Sequence, residues 1–201
     1  MSHVLFRSRG GTVTLPDPQT IMIDRRDGGQ LVVHPPRRVW DRTALDATEL
    51  TQWNFLVAAA AGAMLDTLPQ LRDGCVNYWD AGNWALNLAA APVGAKCGPA
   101  HRVLHLHLVG RSPHSTDPSW AWGESPCFPS FSDRFAWSAG KAPLTPAESG
   151  VLVTRLTHLL LDRYGVDAAA SDVCARCHYP TPAEDLDANG ACPDCAVGSA
   201  S

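Results

Sequence analysis

The sequence predicts an α+β fold: an antiparallel sheet with flanking helices, and a small cysteine-bearing module at the C-terminus. Three observations predict it. A pair of β-rich runs is followed by a helical stretch and two further β-rich runs. Two long segments carry complete helix-start signals. Four of the seven cysteines are gathered in pairs after residue 173. The expected division is 1–168 for the main domain and 169–201 for the tail.

The elements follow in order. "TIMID" (Thr20 to Asp24) and "QLVVH" (Gln30 to His34) are β-rich, and Asp27-Gly28 between them is a hairpin signal. Asp46, with Glu49 three residues later, reads as a capping box. The helix it opens runs until Pro69, with Leu50, Trp53, Val57, Met64 and Leu68 near helical spacing. Cys75 to Trp79 reads as a strand, "DAGNW" as a turn, and Ala85 to Ala100 as mostly loop. Arg102 to Val109 is the next strand. Its alternation puts Val103, His105, His107 and Val109 on one face and Leu104, Leu106 and Leu108 on the other. One face should pack on a helix and the other line a site. The stretch "SPHSTDPSWAWGESPCFPSFSDRFAW" should wrap the body and bury its three tryptophans and three phenylalanines. A second helix is expected from Thr145 as cap, with Pro146 at the first position, Glu148 closing the box and Gly165 ending it.

Composition narrows the function classes. A chain of 201 residues with 45% hydrophobic and 18% charged residues can build one good core plus an appendage. The net charge of −4 argues against a phosphate-backbone partner, so nucleic acid is not expected. "MSHVLFRSRGG" lacks the apolar core of a signal peptide, and no apolar run reaches membrane-spanning length. The expectation is a cytoplasmic protein without a membrane partner.

His105 and His107 carry the sharpest chemical signal. Neutral imidazole is a good nucleophile toward phosphorus near pH 7, and the phosphorus–nitrogen adduct passes readily to water or another acceptor. A second histidine about 7 Å along the same face can bind a phosphate oxygen or handle a proton. Two other readings stand beside it: a pair of buried structural histidines, and a metal site that lacks a third ligand on this strand.

"GPAHRVLHLHLVGR" resembles the active-site strand of the histidine-triad (HIT) superfamily of nucleotidyl hydrolases and transferases, three histidines alternating with hydrophobic residues before an arginine. Registered on Arg111, His107 falls at the third histidine, His105 at the middle one and Val103 at the first. "GGQLVVHPPRRVW" and "DGCVNYWDAGNW" resemble two further family segments, so the resemblance spans roughly Ile21 to Arg111. It implies a HIT-like fold, His105 as nucleophile and His107 as its catalytic partner. It also implies nucleotide contacts from Asp24 (the ribose), Asn77, Asn83 and Arg111, and a homodimer. Gln30 and Ala100 also depart from the family pattern, so the hydrogen-bond shell around the nucleophile is expected to be thin. The function implied is a nucleotidyl hydrolase or transferase acting on a phosphoanhydride, ester or phosphoramidate. The alternatives are a nucleotide-binding sensor or adaptor without turnover and a nucleic-acid deadenylylating enzyme.

"CARC…CPDC" places Cys174, Cys177, Cys192 and Cys195 in two Cys-x-x-Cys knuckles fourteen residues apart. Four such thiolates suit a structural Zn²⁺ in a zinc-ribbon-like tail, with disulfides or redox chemistry as the other readings. Glu184, Asp185, Asp187 and Asp194 make this tail acidic, which favours a structural or protein-contact role over DNA binding.

Overall fold

The computed structural model describes residues 2–17 and 20–197. Among them, two hydrophobic strands come first, β1 (Val4–Ser8) and β2 (Gly11–Thr14), followed by β3 (Gln30–His34). The long helix α1 (Ala47–Thr67) carries the capping box read from the sequence: Asp46 accepts from the Glu49 amide, and Glu49 returns the bond to the Asp46 amide. Strand β4 (Cys75–Ala81), the one-turn helix α2 (Gly98–His101) and strand β5 (His105–Arg111) come next. After the short α3 (Arg134–Ser138), helix α4 (Pro146–Tyr164) has its Thr145–Glu148 box and a left-handed Gly165 at its end. The tail holds β6 (Ser171–Val173), β7 (Pro180–Pro182) and α5 (Pro193–Val197).

The main sheet has the order β1-β2-β3-β5-β4, antiparallel throughout. Leu31, Val33, Leu104, Leu106 and Leu108 point into one core with Leu5, Val13 and the buried faces of α1 and α4. The opposite face carries His105, His107 and Val109, so the alternation read along this strand holds. Val109 there packs with Ile23 and Trp120, and Phe128 and Trp137 close over them.

Thr20 to Asp24 is not a strand. Both edges of β3 are taken, by β2 on one side and β5 on the other, so no ladder is left for it. Its buried residues cross the site face instead, with the Ile23 amide donating to Gln30 Oε1 (2.9 Å) and the Arg25 amide to the Ala142 carbonyl (2.9 Å). The chain does reverse at Asp27-Gly28, which passes so close to β5 that a Cβ on Gly110 would sit 2.1 Å from the Gly28 carbonyl oxygen. Strand β5 starts later than expected because the Leu104 amide is spent on the Val39 carbonyl (2.8 Å). The aromatic wrap is only partly buried. Trp120 is buried and donates to the Gly110 carbonyl, whereas Trp122 and Phe135 are about half exposed. Arg134 lies over the rings of Phe131 and Phe135, which lets them stay near water.

The tail docks against β1, the edge of the sheet farthest from β4. Arg7 holds Asp185 through two nitrogens (3.1 and 2.9 Å), the Ala169 amide donates to the Arg7 carbonyl, and Tyr179 Oη donates to the Leu144 carbonyl (2.8 Å). No helix among the described residues is long and apolar enough to cross a membrane.

Candidate functional site

Strand alternation aims His105 and His107 out of the same sheet face, with ring centroids 5.0 Å apart. Trp79 and Ala81 face them from β4, directly opposite His107 and His105 in register. Together with Ile21, Asn83, Trp84 and Val103 these residues line a cavity of about 400 Å³, large enough for part of a nucleotide. Trp79 packs on the His107 ring (5.3 Å) and stacks on Phe128 (4.2 Å), giving the cavity an aromatic wall. At its rim Arg102 spans Asp41 (2.7 Å) and Asp80 (2.9 Å), and Asp80 also takes Arg42 (2.8 Å). This ion network ties the end of β4 to the start of β5.

Hydrogen bonds assign the two rings opposite tautomers. His105 Nδ1 lies 2.9 Å from the Val103 carbonyl oxygen, which can only accept. Nδ1 therefore carries the proton and Nε2 keeps its lone pair. His107 Nδ1 lies 2.6 Å from Gln30 Nε2. Gln30 Oε1 already accepts from the Ile23 amide, so its amide nitrogen donates and His107 Nδ1 accepts. The His107 proton is thus on Nε2. Burial pushes the His105 pKa below the usual histidine value, against a partly offsetting hydrogen bond to Val103. Burial, with the neighbouring His105 and His34, pushes His107 down to about 3. Both rings are neutral at pH 7, His105 with a free lone pair on Nε2 and His107 with a proton to donate on Nε2.

The hydrogen-bond shell is therefore not thin. The acceptor for His105 is a backbone oxygen that any residue at 103 supplies, and Gln30 holds His107. A third imidazole, His34, ends β3 on the same face, its ring 5.8 Å from His105. Burial, and the repulsion that a protonated His105 beside it would exert, push its pKa down to about 4. His34 lies outside the β5 motif, and its signal in the sequence is the two-residue period it shares with Gln30 and Val32.

Of the remaining site residues, the structure brings only Asn83 to the cavity. Asp24 is buried in the turn, its carboxylate taken by Arg26 Nε (2.9 Å) and by the amides of Arg26 (2.9 Å) and Ala142 (3.0 Å). Burial opposes its charge, but Arg26 and these amides hold the pKa low. Arg111 is buried over Trp120 (4.6 Å) and donates to the carbonyls of Ala121 (2.5 Å) and Glu124 (2.8 Å). It fastens the loop after β5 and does not line the cavity. Asn77 is opposite Val109, one step beyond Trp79 and outside the cavity.

Among the described residues one cluster can hold a metal ion: Cys174, Cys177, Cys192 and Cys195, whose sulfurs lie within 4.8 Å of one another. The Cys177 and Cys192 sulfurs are 3.7 Å apart. A tetrahedron with metal–sulfur bonds of about 2.3 Å has edges of about 3.8 Å, which the Cys177–Cys192 pair matches, so the four sulfurs are compatible with a tetrahedral ion such as Zn²⁺. The Cys192 amide donates to Cys174 Sγ (3.3 Å), one of the contacts that support a thiolate. The histidines of the cavity form no such cluster, which leaves the metal reading of His105 and His107 without a third ligand.

No protein-family model matches this chain. No curated protein matches it either. Among solved structures, a crystal structure of a histidine triad protein from Marinobacter aquaeolei VT8 is similar at 18% identity and a TM-score of 0.45, covering 80% of this chain and 90% of that one.

Proposed function

We propose that this chain is a nucleotidyl hydrolase or transferase of histidine-triad type, working through a nucleotidyl-histidine at His105. One observation carries the reading: two neutral imidazoles of opposite tautomer side by side in an aromatic-walled cavity. The resemblance of the β5 strand sequence to the family's active-site strand supports it.

The nucleoside of the substrate takes the Trp79–Trp84 side of the cavity, where apolar and aromatic side chains offer stacking surface. The His105 Nε2 lone pair forms the bond to phosphorus. The bond from phosphorus to the leaving group breaks, and the leaving group departs with that electron pair, an amine taking up a proton from solvent as it leaves. The adduct ring is then cationic, and its Nδ1–H stays on the Val103 carbonyl, which favours the charge. His107 Nε2–H donates to a non-bridging oxygen as charge builds there. Water or an acceptor hydroxyl attacks next, the phosphorus–nitrogen bond breaks with its electron pair returning to His105 Nε2, and the proton of the attacking oxygen is released to solvent.

In the tail, Cys174, Cys177, Cys192 and Cys195 would hold Zn²⁺ as four thiolates. Such an ion has no open position and supplies folding energy. A homodimer, and a cytoplasmic site of action, belong to the same proposal.

Incubation with adenosine phosphoramidate or a diadenosine polyphosphate, read by intact mass without acid, tests the reaction. A nucleoside-monophosphoryl adduct is expected in the native chain and none in His105→Asn. Binding without turnover or adduct would instead support a sensor role, the reading that the apolar Val103 at the first triad position favours.

A further inference from the structure

A second cavity of about 410 Å³ adjoins the first. It is lined by His34, Pro35, Arg37, Arg38, Val103 and Leu104, and Val103 is the residue the two cavities share. The new cavity holds two guanidinium groups and an imidazole but no carboxylate in its wall. Arg37 is already neutralised, its Nε and Nη2 bonded to Glu49 (2.6 and 2.9 Å). Arg38 is exposed and makes no hydrogen bond or ion pair among the described residues. Pro35 and Pro36 stiffen the backbone that leads into both arginines. The Val39 carbonyl accepts from the Leu104 amide, which fixes this segment to the chain entering β5. The basic cavity and the His105 nucleophile therefore sit at a set separation, with His34 between Arg38's segment and the His105 ring.

We propose that this second cavity is an anion subsite that receives a phosphate of the substrate beyond the one His105 attacks. The inference rests on the proposed function and names its substrate class: nucleotides whose leaving group carries at least one further phosphate. Planar guanidinium forks match phosphate oxygens, and the cation left unpaired is the one with most to gain. His34 is neutral in the empty cavity because burial disfavours its charge. A phosphate beside it reverses that preference, so the imidazole becomes a second donor when the anion arrives.

The test uses the full chain with inorganic tripolyphosphate and, separately, adenosine monophosphate, read by histidine-ring NMR. Tripolyphosphate should shift the His34 resonances saturably and raise the His34 pKa. In Arg38→Glu its Kd should weaken by at least about tenfold, and in Arg38→Gln by less. Both variants should keep the native spectrum elsewhere and still show the monophosphate at His105 and His107. With turnover, the kcat/KM ratio of diadenosine tetraphosphate to adenosine phosphoramidate, which has no further phosphate, should fall about tenfold in Arg38→Glu. Tripolyphosphate that leaves His34 unmoved, or binds both variants as tightly as the native chain, overturns the subsite. An unchanged ratio overturns the substrate phosphate as its occupant and leaves free phosphate. If the monophosphate moves neither His105 nor His107 while tripolyphosphate still binds at His34, the proposed function fails and the subsite stands.

Discussion

His105 and His107 are the same residue type on the same strand face, yet each has a different nitrogen free. A backbone carbonyl decides the first and the Gln30 amide the second. Val103→His therefore restores a family-like sequence without adding the contact that orients the His105 ring. We expect its kcat to stay within about tenfold of the native value, since a new proton-transfer group would give about a hundredfold or more. Gln30→Leu is the damaging change. It frees His107 to take either tautomer and strands the buried Ile23 amide, at a cost of about 1–3 kcal/mol. Turnover should fall about a hundredfold, as for loss of one oxyanion donor, with a smaller change in KM; an unaltered kcat would refute the tautomer assignment. His34 and His107 also set an acid limit. Each is neutral when folded, with a pKa near 4 and 3, but titrates near 6.5 when unfolded. The unfolded chain then binds more protons below about pH 6.5, so stability is full above that pH and falls by up to about 1.4 kcal/mol per pH unit per ring beneath it. Urea midpoints from pH 7.5 to 4.5 should show this slope, and His34→Asn should flatten part of it.

At the scale of elements, the two helices were legible because capping boxes are local: Asp46–Glu49 and Thr145–Glu148 need only their own turn. Thr20 to Asp24 has the composition of a strand but forms none, because a β-rich run becomes a strand only if a neighbour has a free edge. The edge of β3 away from β5 goes to β2, whose short Gly-Thr-Val-Thr sequence gives little signal. The crossing of Gly28 over Gly110 is likewise invisible in sequence, where each looks like an ordinary turn residue. Gly110→Ala drives a methyl group into the Gly28 carbonyl, and neither backbone can yield cheaply. We expect a loss of at least about 2 kcal/mol, measured by thermal unfolding. Three-residue strands cannot hold themselves together, so a metal held by the four proposed thiolates is expected to supply much of the tail's stability. Removing bound metal with a chelator should raise amide exchange in β6, β7 and β1 while leaving His105 and His107 little changed. Equal loosening at β4 would contradict a tail that acts only at the β1 edge.

Across the whole molecule, one sheet separates two tasks. Its leucine face binds α1 and α4, and its histidine face lines the cavity. The four-cysteine tail is fastened to the opposite edge from β4, away from the cavity, through Arg7 and Asp185. The sequence by itself determined the α+β class, both long helices, the two faces of β5 and the grouping of four cysteines. Each is written in short-range spacing: a period of two, a box of four, a pair of Cys-x-x-Cys knuckles. Only the tertiary structure decided which residues meet the histidines. It brought Gln30, His34 and Trp79 to them from other strands, and it kept Asp24, Asn77 and Arg111 out of the cavity. The reason is that a side chain's neighbours across a sheet depend on strand order and register. Those are set by competition among distant segments for a limited number of edges, which local spacing does not encode.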